Sequence, residues 1–207
     1  TDTKVKQLTE WDPFSYESCR WFAPEWMFGI EHGFDIVIAN PPYIDSELMV
    51  NLGQKDLRAL IQKTYTMTKG NWDIFCVFID KGLKLLKDGG LFGMIVPNKL
   101  LSAEYALETR RYIQKHTNVS IRDYSKIPVF QSSVYPIVII IKKEPSTTNI
   151  FTTEVMEPYG DRARVILSRK IQQKELKKIP QNTWAYIFEE SQKEIIYKCF
   201  KNSRTIE

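Results

Sequence analysis

The chain has 207 residues, 43% of them hydrophobic and 26% charged, enough for one sizeable core and the composition of an ordinary soluble protein. A net charge of +4 permits a nucleic-acid partner without requiring one. Three scattered cysteines and two histidines give no disulfide framework, no CxxC or HxxxH pair and so no expected metal site, and suit a reducing compartment.

The first thirty residues show no clear period, and WDPFSYESCRWFAPEWMFG reads as an aromatic segment that covers a core rather than as a helix or strand. From Phe34 the chain alternates. Phe34–Ala39 is a continuous apolar strand apart from Asp35. Ser46 to about Gln62 predicts a helical stretch broken near Gly53. Asn71 is placed to cap the next helix, whose apolar positions Phe75, Phe78, Ile79, Leu83 and Leu86 keep one buried face. Gly89-Gly90 is expected to stop that helix. Leu91–Val96 is a second apolar strand. Ser102 to about His116 predicts an amphipathic helix with Arg110, Arg111 and Lys115 on an exposed basic face. Val119–Tyr124 and Val134–Lys142 follow as strands.

Alternating strands and helices predict an α/β fold with a mostly parallel sheet and helices on both faces. Beyond Glu144 the character changes. EPSTTN reads as a linker, and DRARVILSRKIQQKELKKIP, with seven basic and two acidic residues, reads as a basic helical segment. NTWAYIF is expected to begin a separate unit. The expected division is therefore 1–145 and 146–207.

Ligands of open α/β sheets sit outside the carboxyl ends of the strands. Two punctuated strand ends belong there: Asn40-Pro41-Pro42-Tyr43 after the first strand and Pro97-Asn98 after the second. Pro41 and Pro42 carry no N–H and restrict the residues before them to extended geometry. The turn therefore presents carbonyl oxygens with no competing donors. The Asn40 side-chain oxygen completes a stiff pair of acceptors for an NH2 group, and Tyr43 adds a flat face for a planar ring. Accepting both hydrogens of an aromatic amine frees its lone pair for reaction, so positioning and electrostatics suffice without an acid or a metal.

Asn-Pro-Pro-Tyr after an apolar strand resembles the catalytic motif of S-adenosylmethionine-dependent methyltransferases acting on exocyclic or amide nitrogens. By itself the motif leaves adenine in DNA, adenine in RNA and protein glutamine open. The flanking stretches WFAPEWMFGIEHGFDIVIANPPYI, KGNWDIFCVFIDKGLKLLKDGGLFGMIVPNKLLSAEY and VFQSSVYPIVIIIKK together resemble the adenine-specific DNA methyltransferase region of type IIG-like restriction-modification and phage-defence methylases. The resemblance covers roughly residues 20–145.

It implies a partial Rossmann-like methyltransferase fold, S-adenosylmethionine as cofactor, double-stranded DNA as partner, and a bacterial or archaeal cytoplasm. It implies that Asn40 and the Pro41 carbonyl accept from the adenine amine, with Pro42 stiffening the turn. Tyr43 would stack on a flipped base, with Phe130, or failing that Tyr135, on its other face. Asp73 would border the cofactor, although an acid there also serves as an ordinary helix cap. Arg110, Arg111, Lys115, Arg162, Arg164, Arg169 and Lys170 are candidates for the DNA backbone. The family's glycine-rich cofactor loop has no match here, and the target-recognition domain would lie downstream. The expectation is thus an excerpt of a larger protein, inactive alone, binding cofactor weakly and able to self-associate through an exposed sheet edge. The competing readings are methylation of RNA or protein glutamine, and a non-catalytic nucleic-acid-binding remnant.

Overall fold

The computed structural model describes residues 2–10, 12, 24–130, 134–146, 149–178, 182–189, 195 and 198. Six strands form one sheet in the order β1-β2-β4-β3-β5-β6: β1 Phe34–Ala39, β2 Leu86–Pro97, β3 His116–Asp123, β4 Pro136–Pro145, β5 Ile150–Tyr159 and β6 Arg162–Gln172. Helices α1 Asp2–Glu10 and α2 Pro24–Phe28 precede it, so part of the N-terminal stretch read as irregular is helical. Residues 13–23, most of the aromatic segment and the first three residues of one resemblance stretch, and residues 131–133 of another lie outside the described residues.

The sheet is mixed rather than mostly parallel. β1–β2 and β3–β5 are parallel pairs, while β2–β4, β3–β4 and β5–β6 are antiparallel. The cause lies in the connection from β3 to β4. The described part of residues 124–135 holds no crossover helix, so β4 turns back and inserts between β2 and β3. β1, β2, β3 and β5 still run in one direction, and their carboxyl ends share one edge.

The helical region after β1 divides as expected near Gly53 (φ +75°) into α3 Ser46–Asn51 and α4 Lys55–Thr64. The next helix, α5 Ile74–Leu85, is capped by Asp73 instead of Asn71: the Asp73 carboxylate accepts from the Phe75 N–H at 3.3 Å. Gly89-Gly90 does not end that helix. β2 already pairs at Leu86, and the glycines (Gly89 at φ +78°) form the irregularity between the Phe34↔Leu86 and Ile36↔Leu91 pairs. The stretch expected to be one helix from Ser102 shortens to a 3-10 turn, Glu104–Ala106, and α6 Leu107–Ile113, preceded by a further 3-10 turn at Asn98–Leu101.

Among the described residues, α5 and α6 cover one face of the sheet only. Phe75, Cys76, Ile79 and Leu83 of α5 pack with Phe92, Met94 and Val96 of β2, Ile137, Ile139 and Ile141 of β4, and Ile113 of α6. Gly82 lets the helix approach, because a Cβ there would collide with the Phe92 ring. On the opposite face Ile36 and Ile38 are 59% and 81% exposed. β1 also has an unpaired outer edge among the described residues.

The described segment after residue 145 is mostly neither linker nor helix, and its basic stretch is helical only in a 3-10 turn, Gln173–Lys177. It forms β5 and β6, which continue the same sheet. In RARVILSRKIQ the half-buried Arg169 and the buried Ile171 stand two residues apart on the core side, a strand period that the charge density of the stretch conceals. Nor do residues 182–189 begin a separate unit: Trp184, Tyr186 and Ile187 are buried in the main core. The expected boundary at 145 is absent from the fold.

Candidate active site

β1 emerges at the shared carboxyl edge and hands over directly to Asn40, which is exposed, and Pro41, which is buried. The amide of Asn40 makes no hydrogen bond among the described residues, so its oxygen stands free at the end of a fixed strand. Pro42 is exposed and Tyr43 half-buried.

The chain after the turn is anchored tightly. The Ile74 N–H donates to the Ile44 carbonyl at 3.0 Å, and the Ser46 N–H donates to the Trp72 carbonyl at 2.8 Å, an antiparallel bridge centred on Asp45 and Asp73. Asp45 caps α3 through the Glu47 and Leu48 N–H groups at 3.0 and 2.8 Å. The Ser46 hydroxyl donates to the Asn71 side-chain oxygen at 2.9 Å. Beneath this bridge Met49, Trp72 and Val77 form a small second core. The IDSEL and GNWDIF segments thus lock one another and hold the proline turn in place.

Tyr43 is fixed twice. Its hydroxyl donates to the Ile95 carbonyl of β2 at 3.3 Å, and its ring meets Phe130 edge to face, with centroids 5.7 Å apart and planes at 90°. Burial, reinforced by the nearby Asp73 charge, pushes the Tyr43 phenol up to about 12, so it remains a donor at all ordinary pH. Phe130 belongs to the connection from β3 to β4 and has no sequence proximity to the turn; the fold brings the two rings together. Tyr135 does not join them. It is 57% exposed, and its carbonyl accepts from the Asn98 N–H at 2.8 Å, tying the end of β2 to the start of β4.

Asp73 is buried beside the site and committed to its cap. Burial holds its carboxyl above the usual range, partly offset by the Phe75 N–H and by Lys99. Lys99, whose charge is felt at Asp73, was not a site candidate from sequence. Its signal was available: it directly follows Pro97-Asn98, the second punctuated strand end.

The basic candidates separate. Arg110 is fully buried and donates to three carbonyls: Leu100 at 2.9 Å, Ala103 at 2.8 Å and Asn182 at 2.9 Å. It is a structural clamp and cannot reach a phosphate; burial lowers its guanidinium to about 10, still cationic at neutral pH. Arg111 is exposed on α6 and pairs with Glu108 at 2.8 Å. Lys115 lies 5.8 Å over the Tyr112 ring, just before β3, at the opposite edge from the proline turn. Seven strand steps of ~3.3 Å put it ~23 Å from that turn's edge, too far to share a phosphate with it. Lys170, paired with Thr152, also lies away from the site. Arg169 donates to the Tyr186 carbonyl at 3.5 Å. Arg162 and Arg164 are different. β3 stops pairing at Asp123↔Val155, but β5 and β6 continue to Tyr159↔Arg162, so their tip projects past the edge that bears the proline turn. There Arg164 sits 5.0 Å over the exposed Tyr159 ring and is paired with Glu157.

With this geometry in view, comparison with known proteins decides the lineage. The model of the Eco57I restriction-modification methylase family matches residues 2–130. The chain belongs to the Eco57I restriction-modification methylase family. The type II methyltransferase M.BstVI of Geobacillus stearothermophilus is 26% identical over 170 residues, covering 74% of this chain and 30% of that protein. The type II methyltransferase M.PaeR7I of Pseudomonas aeruginosa is 30% identical over 118 residues, covering 56% of this chain and 20% of that protein. This chain therefore spans under a third of the length of either relative. The type IIG restriction endonuclease BpuSI superposes with a TM-score of 0.53 at 16% identity, over 74% of this chain and 21% of that one. The type I restriction-modification methyltransferase subunit of Streptococcus thermophilus superposes with a TM-score of 0.51 at 15% identity, over 77% of this chain and 39% of that one, and the likeness shows an α/β fold of the methyltransferase type. No helix among the described residues is long and apolar enough to cross a membrane.

Proposed function

We propose that this chain forms the acceptor-gripping part of a DNA methyltransferase that places a methyl group on the exocyclic amine of adenine. The observation that carries the reading is the pairing of a free Asn40 amide, at the end of a strand anchored in the sheet, with a Tyr43 ring held against Phe130. Asn40 and the Pro41 carbonyl accept the two amine hydrogens and shift the nitrogen towards tetrahedral geometry. Tyr43 supplies one stacking face. The present edge-to-face contact closes the slot, so a base enters by turning Phe130 from edge contact to a parallel plane on its far side, a motion that couples base flipping to closure of the site. DNA is favoured over RNA and protein glutamine because the match extends across a restriction-modification methylase family and not merely across the four-residue turn.

S-adenosylmethionine is the methyl donor this reading requires. Asp73 is engaged as a helix cap, and neither the cavity beside Asn98 nor that beside Asn71 is lined by β1 or by the proline turn. The chain's own contribution is to bind, orient and activate the amine. Its exposed hairpin arginines, Arg162 and Arg164, are the backbone contacts that the geometry favours, and Arg111 is a weaker one.

The test uses the gene product that carries this chain, duplex DNA and tritiated S-adenosylmethionine, with digestion of the DNA to identify the methylated nucleoside. Asn40→Ala is expected to reduce transfer by ~10²–10³-fold, the usual cost of one oriented group at a reacting centre, with unchanged thermal unfolding. Unchanged transfer refutes the assignment, and label recovered in RNA or glutamine replaces it.

A further inference from the structure

Beside the proline turn the same sheet edge carries a cavity of about 640 Å³ that the methyl-transfer reading does not use. It is large enough for a nucleotide. Asn98, Lys99 and Ser102 enter it from the turn after β2, and Lys126 from the segment after β3; Leu167 and Phe188 enter from the other flank of the sheet. One end is thus rich in donors and the other is apolar. Asp123 and Glu189 are its carboxylates, and Asp123 already accepts from the Ser125 N–H at 2.8 Å.

Three connections tie this cavity to the base slot. Tyr43 hydrogen-bonds the Ile95 carbonyl, three residues before Asn98. Lys126 and Phe130 stand four residues apart on one segment, at most ~14 Å along the chain. The turn bearing Asn98 and Lys99 is immobilised from behind by Arg110 on the Leu100 and Ala103 carbonyls and by the Trp184 N–H on the Leu101 carbonyl at 2.7 Å. The buried arginine therefore braces a wall of this cavity.

We propose that this cavity seats the nucleotide adjacent in the same strand to the flipped base, with its phosphate on Lys99 and Lys126 and its base against Phe188 and Leu167. The inference rests on the DNA reading above and extends it. A strand distorted by extrusion of one base leaves the neighbouring base partly unstacked, and an apolar platform flanked by two ammonium groups compensates that loss. The carboxylates and the Asn98 amide give the pocket both acceptors and donors for a base edge, so it biases which neighbour is tolerated.

The experiment is photo-crosslinking with single-stranded oligonucleotides bearing 5-iododeoxyuridine either in place of the target adenine or immediately next to it, followed by peptide mapping on the 207-residue chain. The flanking label is expected to attach within residues 182–189, and Lys99→Ala with Lys126→Ala to reduce that attachment at least ~5-fold while leaving the target-position crosslink to the Tyr43 or Phe130 peptide within ~2-fold, because the lysines hold only the neighbouring phosphate. Phe188→Leu, a milder core change, is expected to abolish the mapped site without unfolding the chain. If the target label attaches at Tyr43 or Phe130 but the flanking label attaches elsewhere or ignores the lysine changes, this proposal fails and the methyltransferase reading stands. If neither label attaches at these sites, both fail.

Discussion

The two edges of the sheet carry different sets of side chains. At the carboxyl edge lie the proline turn, the Tyr43–Phe130 pair, Lys99 and the neighbouring cavity. At the opposite edge lie Lys115, His116, Lys143 and Lys170. Positive charge counted along the sequence points to the second group as readily as to the first. Strand direction distinguishes them, because four of the six strands deliver their carboxyl ends to one edge, which gathers the proline turn and the turn after β2.

The contrast between the edges is tested most severely through Arg110. It looks like a member of the basic face of α6, yet it serves the carboxyl edge from inside the core. Arg110→Met removes three charge-assisted hydrogen bonds and strands the carbonyls of Leu100, Ala103 and Asn182. The expected loss is ~3–5 kcal/mol in urea unfolding, against ~0.5 kcal/mol or less for Lys115→Ala at the other edge. Equal effects would mean that the arginine is not the brace described.

A second, smaller effect separates the edges in binding. Tyr43→Ala removes one stacking face and should weaken an adenine-containing oligonucleotide by ~1–3 kcal/mol, read by fluorescence anisotropy. Lys115→Ala combined with Lys170→Ala should change the same affinity less than ~2-fold at physiological salt, since both lie beyond one Debye length of ~8 Å from the site. A larger loss from the lysine pair would place the DNA along the other edge. Gly82→Ala probes the scaffold that both edges share: the added methyl meets the Phe92 ring and should cost ~1–3 kcal/mol, with no preference for either edge.

Much of the fold was legible in the sequence, and the misses have causes. The β1 strand, the proline turn and the α5 face were readable because each is local: an apolar run, a pair of prolines, a helical period. Phe130 entered through family resemblance, and no local pattern reveals that its ring reaches Tyr43. The buried role of Arg110 was hidden because helical spacing puts it beside the exposed Arg111, and only the 182–184 segment, folding back onto α6, closes over it. β6 was hidden because a strand with basic residues on its outer side resembles a solvated helix when its partner is not known. The antiparallel insertion of β4 depends on the shortness of one connection, a feature that strand and helix patterns alone do not weigh.

The mildest contrast between the edges is their response to acid. His116 opens β3 at the far edge, 5.3 Å from the Tyr112 ring, with a buried Nε2 that has no partner among the described residues. Burial lowers its affinity for a proton, and Lys143 and Lys115 lower it further, against a smaller opposing effect from Asp88. Above the ordinary value of 6.5 both the folded and unfolded chains hold it neutral, and it contributes nothing to the pH dependence. Below 6.5 the unfolded chain takes up a proton that the folded chain resists, so stability is lost as the pH falls from there towards the depressed folded value. His116→Gln cannot titrate and should lose less stability than the parent chain between about pH 7.5 and 5.5 in paired urea titrations. The Tyr43 phenol at the carboxyl edge, held up at about 12, is silent across that interval. An unchanged acid slope in the glutamine variant would move the acid sensitivity elsewhere, and would overturn the claim that His116 makes the far edge respond to pH.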